Sequence, residues 1–146
     1  MATASLIYVL NGPNLNLLGT REPEIYGADS LDDIAARLTD QAEDLGVELD
    51  FRQSNHEGHL IDWLHEAQAQ GAKAVLLNAG GLSHTSVALH DAVKGITTPV
   101  IEVHLSNPQA REDFRQVSLT GRAAMGSICG FGALGYALAL DAAARL

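Results

Sequence analysis

Short apolar runs alternate with helical apolar spacing along the whole chain. Residues 6–10, Leu6-Ile7-Tyr8-Val9-Leu10, form an unbroken apolar run, the pattern of a strand covered on both faces. Ser30 with Asp33 three residues on predicts a helix N-cap and a short capping-box partner. Leu31, Ile34, Ala35, Leu38, Ala42 and Leu45 then recur at helical spacing until Gly46 closes the helix. Residues 47–53 predict a second strand, whose alternation at Val47, Leu49 and Phe51 leaves one face less fully covered. Leu60, Ile61, Leu64 and Ala67 mark a second helix ending near Gly71, and residues 74–77 a third strand. Thr85 or Ser86 caps a third helix running through Val93. A fourth strand over 99–103, a short helix over 111–115, a fifth strand over 127–129 and a last helix from about 132 to 145 complete the reading.

Regular strand–helix alternation implies parallel strands with helices on both faces. The expected fold is α/β, a flavodoxin-like three-layer sandwich with a five-stranded parallel sheet, and 146 residues fit one domain over 1–146. Ligands of such sheets bind beyond the carboxyl ends of the strands, where the strand order reverses. That rule gathers three polar clusters into one crevice. Strand one ends in Asn11 and Asn14, strand three in Asn78-Ala79-Gly80-Gly81-Leu82-Ser83-His84, and strand four in Glu102, His104, Ser106 and Asn107.

The segment 11–27 is long for a connection in a compact domain, and such loops are functional or disordered. Leu15, Leu17, Leu18, Ile25 and Tyr26 give it apolar anchors, so a lid at about 19–27 carrying Arg21 and Tyr26 is the sharper reading. An arginine near a tyrosine favours the phenolate, and a phenolate is a base.

Composition narrows the partners. A formal net charge of −9 without a basic stripe argues against nucleic acid and against an anionic membrane surface. No apolar stretch is long enough to span a bilayer and no secretory signal is visible, so a cytoplasmic location is expected. The single cysteine, Cys129, excludes an internal disulfide, and its apolar neighbours predict a buried structural thiol.

His104 stands at the mouth of strand four with Glu102 two residues before it, so both project to one side. A carboxylate beside an imidazole fixes its tautomer and raises its pKa, which suits a general acid; the bland alternative is a histidine capping the loop before Pro108. Asn78 and the N–H groups around Gly80 and Gly81 suit an oxyanion or carboxylate ligand, or simply a tight turn. His84 either binds an anion or packs against the loop. His56-Glu57-Gly58-His59 with His65 lacks zinc-protease spacing and reads as a solvated helix start. Neither a G-x-S-x-G elbow nor a G-x-G-x-x-G turn after the first strand is present.

Five blocks carry a resemblance over nearly the whole chain: Asn11-Gly12-Pro13-Asn14-Leu15-Asn16-Leu17-Leu18-Gly19; Arg21-Glu22-Pro23 with Tyr26-Gly27; Gln53-Ser54-Asn55; Asn78-Ala79-Gly80-Gly81 with His84-Thr85-Ser86; and Ile101 to Asn107. Their order and spacing resemble type II 3-dehydroquinate dehydratase. The resemblance implies anti elimination of water from 3-dehydroquinate to give 3-dehydroshikimate through an enolate, in the shikimate pathway or quinate catabolism, with no metal or organic cofactor. It implies Tyr26 as base, Arg21 as its lid partner, His104 as acid oriented by Glu102, and Asn14 holding a water on the enolate. Substrate contacts are implied for Asn78, Gly81, His84, Leu105, Ser106 and Arg115. Asp91 would act across a subunit interface, because the family assembles as a dodecamer of trimers. The unrelated type I reaction runs through a lysine Schiff base, and the only lysines, Lys73 and Lys94, lie away from the expected crevice. The alternative reading is a non-catalytic module that binds small anions on the same fold. Leu105 replaces a common isoleucine, His59 a common acidic residue, and Val117 and Leu119 more polar or aromatic residues.

Overall fold

A computed structural model describes residues 4–20 and 22–146. Five parallel strands, β1 (Ser5–Asn11), β2 (Val47–Gln53), β3 (Ala74–Asn78), β4 (Val100–His104) and β5 (Gly126–Cys129), form one sheet in the order β2-β1-β3-β4-β5. This is the expected flavodoxin-like order, with its switch between β1 and β3. The helices are α1 (Pro23–Tyr26), α2 (Leu31–Leu45), α3 (Glu57–Ala69), α4 (Val87–Gly95), α5 (Leu119–Ala123) and α6 (Leu134–Ala144).

Alternation along each strand divides the core in two. Ile7 and Val9 of β1, Leu76 of β3 and Val103 of β4 pack with Ile34, Leu38 and Ala42 of α2 and Tyr136, Ala139 and Leu140 of α6. Tyr8, Leu10, Val75 and Leu77 point the other way, onto Leu60 and Leu64 of α3 and Leu89 and Val93 of α4. Both faces of β1, β3 and β4 are therefore filled, which is why these strands read as unbroken apolar runs. β2 is an edge strand, and its Val47, Leu49 and Phe51 pack only on the α2–α6 side, as their alternation implied.

The caps account for the boundaries. Ser30 Oγ accepts from Asp33 N at 3.1 Å while Asp33 Oδ2 accepts from Ser30 N at 3.0 Å, a full capping box. Gly46 ends α2 at φ 72. Ser86, not Thr85, caps α4 by accepting from Leu89 N at 2.9 Å.

Three expectations need correction. The short helix over 111–115 is instead two 3-10 turns, Pro108–Ala110 and Asp113–Arg115. Asn107 Oδ1 accepts from Gln109 N to start the first, and the extended backbone of Arg111 ends it, so no α-turn continues. The closing helix begins at Leu134 rather than near Gly132, because Gly132 adopts φ +58. Cys129 is half-buried rather than buried, since it sits on the β5 edge, where burial and the nearby Glu102 charge push its thiol pKa up.

Candidate active site at the sheet switch point

The loops after β1 and β3 meet backbone to backbone. A Cβ at Gly12 would lie 2.6 Å from Ala79 O, and one at Gly80 would lie 2.9 Å from Pro13 O. Gly80 also has φ +60, so glycine is required there twice over. Gly12 N donates to Asn78 O at 2.8 Å, closing the floor of the crevice. Asn14 adopts the left-handed region at φ 70, which asparagine tolerates, and its N–H donates to Asn55 Oδ1 at 2.9 Å.

Beneath this floor a buried tyrosine ties the two strand ends together. Tyr136 OH of α6 donates to Asn11 Oδ1 at 2.7 Å and accepts from Asn78 Nδ2 at 2.9 Å. Burial pushes its pKa well above the ordinary phenol value, so it remains a donor. Asn11 also donates to Arg52 O at 2.9 Å, so this residue is spent on structure and does not face a ligand. Asn78 Oδ1 accepts from Gly80 N at 3.2 Å, leaving its amide braced at the cleft wall.

The cleft above the switch brings together Asn14, Tyr26, Asn78, Gly81 and His84. From the β4 side come His104, Leu105, Ser106 and Arg115. The carbonyls of His104 and Leu105 accept from Gly130 N and Gly132 N at 3.2 and 3.0 Å, which holds this segment after β4. Arg21 lies outside the described residues. Asp91 is on α4 with its side chain 69% exposed, paired with His90 Nδ1 at 2.8 Å, and does not reach this cleft. Neither Lys73 nor Lys94 lines it.

Glu102 and His104 project to the same side of β4, as their spacing required. Ile101 and Val103 belong to the α2–α6 core, which leaves 102 and 104 on the opposite face. Glu102 is 2% exposed, and its Oε1 lies 2.6 Å from His104 Nε2. Burial alone would raise the carboxyl, but the His104 bond and charge and the hydroxyls of Ser118 and Thr120 outweigh it and hold its pKa at about 2. An ionised carboxylate only accepts, so Nε2 carries a proton. Nδ1 of His104 has no protein partner among the described residues and is the nitrogen left for a ligand. His84 stacks beside this ring at 6.1 Å between centroids, and its Nδ1 donates to Val117 O at 2.9 Å.

Arg111 is a cleft residue that the sequence reading did not single out. Its guanidinium lies 5.1 Å from the Tyr26 ring centroid and donates to Ser106 Oγ at 3.2 Å. In sequence, Arg111 and Arg115 flank an acidic pair and resemble ordinary helix-surface charge pairing. The only available signal was that both follow the strand-four mouth closely enough to fold back over it.

Fold and site together define an α/β protein that carries an imidazole–carboxylate pair, a tyrosine and two arginines at its topological switch. The family model for dehydroquinase class II matches residues 5–144, and the chain belongs to that family. It is 56% identical over 139 residues to 3-dehydroquinate dehydratase 1 of Agrobacterium fabrum, covering 95% of each chain. The type II dehydroquinase structure from Propionibacterium acnes matches with a TM-score of 0.94 at 41% identity, covering 100% of both chains. That from Butyrivibrio crossotus matches with a TM-score of 0.95 at 38% identity, covering 97% of this chain and 99% of the other.

Proposed function

We propose that this chain is a 3-dehydroquinate dehydratase, a hydro-lyase that converts 3-dehydroquinate to 3-dehydroshikimate. The observation that carries the reading is the meeting, in one cleft, of a tyrosine under an arginine with a histidine whose far nitrogen is bound to a buried carboxylate.

The chemistry needs both. A proton α to a ketone is weakly acidic and requires a base together with stabilisation of the enolate. Tyr26 takes that proton at its phenolic oxygen, and the Arg111 guanidinium stands 5.1 Å from the centre of its ring. The electron pair moves into the ketone to give an enolate, which a water held by Asn14 stabilises. The enolate then re-forms the ketone and expels the β-hydroxyl. His104 gives that oxygen its Nδ1 proton, so water leaves and a conjugated enone remains. Glu102, acceptor only, holds Nε2–H throughout. Asn78, Gly81, His84, Leu105, Ser106 and Arg115 bind the substrate carboxylate and hydroxyls, and their place in the cleft wall supports this. Arg21, outside the described residues, keeps the role that the family resemblance implies, as partner to Tyr26. Asp91 completes the site from a second copy in a dodecamer of trimers, a role in keeping with its exposure away from its own cleft.

The test is the enone absorbance after 3-dehydroquinate is added to EDTA-treated protein. A rise that Tyr26→Phe eliminates supports the dehydratase with Tyr26 as base. A folded protein that gives no rise leaves the fold without this reaction and turns the reading to the anion-binding module.

A further inference from the structure

The carboxylate that orients His104 is itself held at both of its oxygens by side chains with no role in the reaction above. Ser118 Oγ, at the N-cap of α5, and Thr120 Oγ1, in its first turn, donate to Glu102 Oε1 at 2.5 and 3.0 Å. Ser127 Oγ, from β5, donates to Oε2 at 3.0 Å. The register explains Ser127, which lies directly opposite Glu102 in the β4–β5 pairing. Thr120 is fully buried, and a buried hydroxyl belongs there because it has this acceptor. Gly121 completes the cage, since a Cβ there would collide with Oε2 of Glu102.

The last torsion of a glutamate is soft, with a broad, roughly two-fold profile. One hydrogen bond to one oxygen leaves the carboxylate free to rock about it. Donors on each oxygen, from two different elements, fix its plane. The plane of the carboxylate sets the direction of the His104 Nε2 bond, and hence the position of Nδ1 at the far side of the ring. A general acid acts only when its donor atom lies within hydrogen-bond reach of the leaving oxygen.

We infer that Thr120 and Ser127 are positioning residues for the dehydration: by clamping one oxygen each of Glu102 they fix the His104 ring in the orientation that delivers its proton. Ser118 contributes to the same clamp but also caps α5, accepting from Gly121 N at 3.0 Å, so its removal mixes two effects. The inference rests on the dehydratase reading.

The test is steady-state turnover of 3-dehydroquinate by the full chain and by Thr120→Val/Ser127→Ala, with Ser127→Ala alone as the variant least able to disturb folding. The double variant should lose kcat roughly ten- to a hundredfold, the scale of a misplaced catalytic group, with KM within about twofold of the parent. Thr120→Ser and Ser127→Thr, which keep the hydroxyls, should recover turnover relative to Val and Ala. In the native chain the Nε2 proton of His104 should give a slowly exchanging NMR signal that broadens in the double variant, whether or not substrate is turned over. A native chain that is folded but inactive counts against the dehydratase reading, and the His104 signal then decides the clamp. An active native chain whose folded Ser127→Ala and double variants match it in kcat, or change kcat and KM together, overturns the inference.

Discussion

At the scale of single residues the site depends on keeping one buried group ionised. Glu102 has its carboxyl at about 2 against an ordinary 4.5. The unfolded chain therefore binds a proton in a range where the folded chain does not. The stabilisation is complete above about pH 4.5 and is lost as pH falls towards 2. Denaturant midpoints should fall across that window in the native chain, whereas Glu102→Gln should start less stable at pH 7 and show a shallower slope. Equal slopes would mean that other carboxylates dominate acid unfolding. Tyr26→Phe tests the opposite end of the cleft. It keeps the ring under Arg111 and removes only the oxygen, so turnover should vanish while substrate still protects the fold against heat. Near-normal rates would remove Tyr26 as base. Sequence reading located Tyr26, Glu102 and His104 because each stands in a dense local motif. It did not locate Arg111, since a contact spanning 85 positions leaves no mark in local spacing.

At the scale of elements, the strands and long helices were legible because burial on a regular period fixes both their type and their facing. β2 begins and ends at the expected residues, and both caps of α2 are visible as Ser30 and Gly46. α5 was not legible. Its five residues, Leu-Thr-Gly-Arg-Ala, have no helical apolar repeat and include an interior glycine. What makes them a helix is the local Ser118 cap together with a tertiary partner, a carboxylate that needs Ser118 and Thr120 on one side and tolerates only glycine at 121. Gly121→Ala should therefore cost both stability and kcat, unlike the same change at Gly58, which meets nothing within 4 Å. α6 carries a comparable duty that its apolar sequence hides. Its Tyr136 braces Asn11 and Asn78 across the switch. Tyr136→Phe leaves a buried carbonyl and a buried amide unpaired, about 1–3 kcal/mol each. Thermal unfolding should shift accordingly, and KM should rise because the Asn78 amide is no longer braced. A variant as stable as the parent with unchanged KM would show that both groups find other partners.

At the scale of the whole molecule, the folded chain leaves apolar surface that one copy alone does not use. Val87, Phe114, Val117 and Met125 are exposed, and so are Phe131, Leu134 and Leu138 around the start of α6. No helix among the described residues is long and apolar enough to cross a membrane. Asp91 adds a second argument, because it is the one expected site residue among those described that neither lines the cleft nor backs one that does. Both facts are met if copies of the chain cover these patches and carry Asp91 into a neighbour's site. Sedimentation velocity should then show an assembly much larger than a 15.4 kDa monomer. Asp91→Asn should keep that assembly and lower turnover. Mixing it with Tyr26→Phe chains, under conditions that let subunits exchange, should restore part of the activity, since some mixed interfaces pair an intact Tyr26 cleft with an intact Asp91. Sedimentation as a fully active monomer would detach Asp91 from the reaction and leave the apolar surface to another partner, while the cleft within one chain would stand complete.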